Sequence, residues 1–202
     1  LDVDSDSSTF TSSSATLSVP TGSRVLFAGL YWTGLNRKGE AISGANGFKA
    51  VPQDPPSVAS IGTVKLKTPG AAGYTSVTAA GADVNTASIA VGGGYGAFAD
   101  VTSIVTAAGA GTYTVADVQT GTGGNSYAGW SLVVAYSDQD EPLRNLSVFD
   151  GLQVVSGTQQ IDIPLSGFKT PSSGPVNTTV GVVAAEGDAG ATGDYLTVNE
   201  RL

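Results

Sequence analysis

The sequence has no cysteine, no histidine and no methionine. Without cysteine there is no disulfide, no thiolate nucleophile and no Cys-ligated zinc. Without histidine, the commonest general base near neutral pH and the commonest transition-metal ligand are both missing. Hydrolase and zinc chemistry therefore lose ground, and the chain reads as non-enzymatic. Charge is scarce as well: 13% of residues, with 17 acidic against 9 basic and a net charge of −8. Such a field repels phosphate backbones, so nucleic acid and anionic lipid are poor partners. No run approaches the roughly 18 apolar residues of a membrane helix, and no membrane insertion is expected. No signal peptide is visible, but the chain opens on Leu1 rather than Met and reads as the processed part of an exported precursor.

Glycine, serine, threonine, alanine and valine dominate what is present. Short hydroxyls in place of long charged side chains suit an extracellular β-protein and form helices poorly. With 202 residues, a single domain spanning 1–202 can bury roughly 70% of its unfolded surface without a metal or disulfide. Period-two alternation marks strands at Ala15–Val19, Val64–Lys67, Tyr113–Val118 and Ile161–Leu165, the last demoted to an edge by Pro164. "RVLFAGLYW" (24–32) and "AGWSLVVAY" (128–136) are apolar on both faces. They are expected as central strands, with Trp32 and Trp130 in the core. Val101, Ile104, Val105 and Ala108 fall at helical spacing between Asp100 and Gly109, predicting one short helix near residues 100–108. "VGGGYGAF" (91–98) opens no helix, so a dinucleotide fingerprint fails. It reads as a loop, as does 119–129. After Tyr136, Pro142 turns the chain and Leu146, Val148 and Phe149 read as a returning strand. The fold class expected is all-β: an antiparallel β-sandwich, jelly-roll-like.

Several stretches taken in order, "RVLFAGLYWTG", "YGAFADVTSIV", "GTYTVADVQTGTG", "YAGWSLVVAYSDQDEPLRNLSVFDG" and "GPVNTTVGVVAAEGDAGATGDYLTVN", resemble successive blocks of a domain of bacterial surface proteins. That domain often precedes arrays of immunoglobulin-like repeats in secreted or wall-attached proteins, many from high-GC Gram-positive bacteria. The resemblance implies an all-β fold and an extracellular or cell-surface location, and it brings no catalytic residues. It also implies that the chain continues past "GDYLTVN". The stretch then reads as a fragment, or as a subunit whose terminal strand at Tyr195–Asn199 pairs with a neighbour, as in a filament.

Asp2, Asp4 and Asp6 alternate in "LDVDSDS". Calcium takes six to eight hard oxygens, and this spacing supplies three from one loop. Further ligands would come from Glu186, Asp188 and Asp194. The competing reading is a solvated acidic terminus. Asp138, Asp140 and Glu141 keep a weaker claim to the same ion. If the strand through Val180, Val182 and Ala184 persists, Glu186 faces inward, where a carboxylate must be paired, metal-bound or protonated. Such an acid could promote an isopeptide bond from Lys49, Lys65, Lys67 or Lys169. A strand ending earlier would leave Glu186 in a Gly-rich loop. Sugar binding would need a surface aromatic platform, for which Tyr74, Tyr95 and Tyr127 lie near loops. Tyr31 and Tyr136 are expected in the core. The partners expected are other copies of the chain, other surface proteins, or glycans.

Overall fold

The structure is a computed structural model and describes residues 1–44, 49–56, 60–87, 92–155, 157–184, 193 and 195–198. Its strands run β1 (Ser12–Leu17), β2 (Arg24–Leu35), β3 (Ile42–Ser43), β4 (Lys49–Ala50), β5 (Thr63–Lys67), β6 (Thr75–Thr78), β7 (Val84–Ala87), β8 (Gly94–Asp100), β9 (Gly111–Ala116) and β10 (Ala128–Ser137). A single helical turn at Gly81–Asp83 precedes β7, and helix α1 (Thr102–Ala108) joins β8 to β9. Two four-stranded antiparallel sheets result, with orders β1-β9-β5-β6 and β10-β2-β8-β7. This is the expected all-β sandwich with its one helix, and neither sheet closes into a barrel.

Both sheets feed one core. Ala28, Leu30 and Trp32 point inward from β2, Tyr95, Ala97 and Ala99 from β8, Val64 and Leu66 from β5, and Tyr113 and Val115 from β9. Trp32 is 2% exposed, and its indole N–H donates to the Ile61 carbonyl at 2.8 Å. The ring thus buries its area without orphaning its polar atom. Helix α1 closes one end. Val105 is fully buried, the Asp100 carboxylate accepts the Thr102 N–H at 2.8 Å, and the Thr102 hydroxyl accepts the Ala28 N–H at 2.9 Å. Tyr95, expected on the surface, is 1% exposed and donates to the Gln119 carbonyl. Of the 91–98 stretch expected as a loop, residues 94–98 belong to β8, while Gly92 and Gly93 precede the strand.

The glycines of 119–129 permit backbone contact. The 39–57 excursion bridges onto them at Glu40 to Gly124 and Gln53 to Thr122. A Cβ on Gly121 would lie 2.1 Å from the Arg37 carbonyl oxygen.

Other expectations are corrected. The 128–136 stretch is an edge: among the described residues β10 pairs with β2 alone. Its apolar character has a different origin. Trp130, Leu132 and Val134 pack on the core, while Ala135 lies beside Phe27 on the outer face. Tyr31 and Tyr136 are not core residues, being half-buried on the outer face and 36% exposed respectively. Leu146–Phe149, Ile161–Leu165, Val180–Ala184 and Tyr195–Val198 form no strand. Alternation specifies which face of a strand would be buried, but a strand exists only against a partner, and these stretches have none among the described residues.

On the outer face of the second sheet, Tyr31 and Phe98 approach with centroids 4.9 Å apart, and Phe27 stacks on Phe98 at 6.4 Å. Gly29 lies among them. A Cβ there would come within 2.8 Å of Phe27 and Tyr31 and 2.9 Å of Phe98. Gly29→Ala is therefore expected to lower stability by about 1–3 kcal/mol through overpacking, read as a reduced urea midpoint with an unchanged slope.

Candidate functional site

Three places on the described surface have chemistry to offer: the acidic N-terminal loop, the aromatic outer face, and the free edge of β10.

The N-terminal loop carries Asp2, Asp4 and Asp6, whose carboxylates are engaged by the loop's own backbone and by nearby hydroxyls. Asp4 Oδ1 accepts the Asp6 N–H at 2.9 Å and the Thr9 hydroxyl at 3.2 Å, and Asp4 Oδ2 accepts the Tyr74 hydroxyl. Asp6 Oδ1 accepts the Ser8 N–H at 2.9 Å, and Asp2 Oδ1 accepts the Ser12 hydroxyl at 2.7 Å. Carboxylates that accept from the backbone two residues on make Asx turns, the local habit of Asp. Lys65 latches the loop to the sheet: Nζ donates to the Ser8 carbonyl at 2.6 Å and pairs with Asp117 at 2.9 Å. Asp117 in turn accepts the Phe10 N–H at 3.0 Å. Glu186, Asp188 and Asp194, the expected completing ligands, lie outside the described residues. Among the described residues no three acidic side chains converge as a metal cage.

The aromatic face forms an open groove of about 370 Å3, with Phe27, Tyr31 and Phe98 as its floor and Leu146, Val148 and Asp150 on its wall. Burial first, then the charges of Asp150 and Asp100, push the Tyr31 hydroxyl up to about 12, so it stays a neutral donor. This platform was missed because Phe27 and Tyr31 sit inside a run that reads as core. The Phe27–Gly29–Tyr31 alternation was the available signal. Of the three tyrosines expected on the surface, Tyr74 is engaged by Asp4 and Tyr127 is half-buried.

Comparison with family models, curated proteins and solved structures yields no match.

The third place is the β10 edge. Its ten residues, AGWSLVVAYS, contain no charge and no proline. The one irregularity in its pairing is a bulge at Ala135/Tyr136, near its end. Natural edges are commonly blunted by lysine, proline or a bulge, and from Ala128 to Val134 this one has no charge, no proline and no bulge. Trp130, Leu132 and Val134 face the core yet remain only half-buried. The indole of Trp130 reaches Ser13 of β1 at 2.7 Å, so the two edge strands flank the same open side of the sandwich.

The Asp4–Tyr74 contact sets a pH dependence. Chiefly through the Tyr74 hydroxyl and then the Asp6 N–H, Asp4 falls from 3.8 to about 2, while burial and then Asp4 raise Tyr74 above its usual 10. The depressed carboxylate stabilises the fold above about pH 4, and this is lost as pH falls toward 2. The raised phenol stabilises it below pH 10, with loss as pH climbs further. Tyr74→Phe should therefore lower stability across the neutral range, with the gap to the parent narrowing below pH 4 and above pH 10. Urea titrations at stepped pH measure this, and a constant gap would contradict it.

Proposed function

We propose that the chain is a non-enzymatic structural or adhesive module of a bacterial extracellular or cell-surface assembly, joined to its neighbours by strand addition. The observation that carries this reading is the unguarded edge of β10, whose backbone donors and acceptors are a ready template for another strand. The resemblance to surface-protein blocks supports it, as does the outer face of the first sheet. There hydroxyl pairs Ser14–Thr114, Thr16–Thr112 and Thr63–Thr78 cross between strands at 2.7–3.3 Å. Such a face stays solvated with few charges.

A second reading, a calcium-dependent carbohydrate-binding module, draws on the groove, where Phe27, Tyr31 and Phe98 offer ring faces to a sugar. It requires hits on a glycan array that vanish in Phe98→Ala and with chelator; an empty array removes it.

For the leading reading, light scattering across a concentration series should show association. Ser131→Lys, which places a charge on the outer side of the β10 edge, should shift the chain to monomer while its circular dichroism stays unchanged. A parent protein that is monomeric throughout overturns the reading.

A further inference from the structure

If the β10 edge takes a strand, the chain itself offers a donor. Val176 to Ala184 reads V-N-T-T-V-G-V-V-A, with Val176, Thr178, Val180, Val182 and Ala184 on one side of an extended chain. The stretch forms no strand and is exposed, with Val180 at 51%, Val182 at 56% and Val183 at 71%. Large apolar side chains left this open, in a run rich in valine and threonine with neither charge nor internal proline, are unsatisfied surface of a kind that seeks a partner. The other alternating stretch, Ile161–Leu165, is a poorer donor because Pro164 lacks an N–H and Asp162 brings a charge to the sheet.

We infer that the open edge of β10 is completed by residues 176–184 of a second copy of this chain. The inference rests on the assembly reading and names its donor. Val180 and Val182 of the incoming strand would extend the inner face beyond Trp130 and Leu132, covering side chains that the single chain leaves half-buried. The chain's own copy of the donor starts from the wrong place. After β10 the chain turns back across the outer face, where Leu152 lies over Gly96. Phe149 against Phe168 at 5.6 Å and the Lys169 N–H on Asn145 Oδ1 at 3.3 Å tie the approach to 176–184 there. Because donor and acceptor are different surfaces, the contact is head-to-tail and propagates into a filament unless its rotation closes a ring.

The lack of cysteine makes the test clean. Ser131→Cys and Thr179→Cys are combined in the full chain, both on the outward side of their strands, and treated with a short bismaleimide. The expected result is a ladder of covalent multimers on a denaturing gel, with each single variant giving dimers at most. A chain linked to itself, running as a monomer without free thiols, assigns the edge to its own segment and overturns the second-copy donor. Multimers seen by light scattering without any 131–179 link overturn the donor but leave assembly standing. An absence of multimers by both measures removes assembly and donor together.

Discussion

The inner face of β2 is the constraint on which the fold depends. Leu30 and Trp32 sit at the contact between the two sheets and are essentially without solvent. Burying two such side chains contributes on the order of 4 kcal/mol, a large share of the net stability of a typical domain. Trp32 fits because the Ile61 carbonyl, in the turn leading to β5, meets its N–H. Helix α1 is hung from the same strand through the Ala28 N–H and carbonyl, which bond Thr102 and Val101. Sheet pairing, helix docking and inter-sheet packing thus share a few residues of one strand.

That strand also explains the glycine at position 29. A central strand must be covered on both sides, and the outer cover here is aromatic. Three rings cannot lie this close over a pleated surface unless one position beneath them has no side chain. The glycines near 121 and 124 answer a different demand, the close passage of the 39–57 excursion. In both places glycine provides room rather than flexibility.

Much of this was legible in the residues. Alternation located β1, β5 and β9, the double-faced apolar run marked β2 as central, and helical spacing found α1 to within two residues. The error over β10 is instructive, since its composition matches that of β2. Composition reports that both faces meet apolar surroundings, but whether a strand has one hydrogen-bonded neighbour or two is a property of the backbone. The same limit affected the carboxylates. Asp2, Asp4 and Asp6 have a spacing that suits calcium and suits Asx turns equally, and only the positions of Ser12, Thr9 and Tyr74 reveal how their oxygens are engaged. The strand-patterned stretches after Ser137 show the converse, a pattern without a local partner.

The two tryptophans divide the protein's fluorescence between two environments. Trp32 is sealed in the core, shielded from any dissolved quencher while the fold persists. Trp130 stands at the open side, its indole held by one serine hydroxyl and its face half in water. Intrinsic emission therefore has one component fixed by the core and one tuned to the edge, so a strand added at β10 would change the light of Trp130 and leave that of Trp32 unmoved.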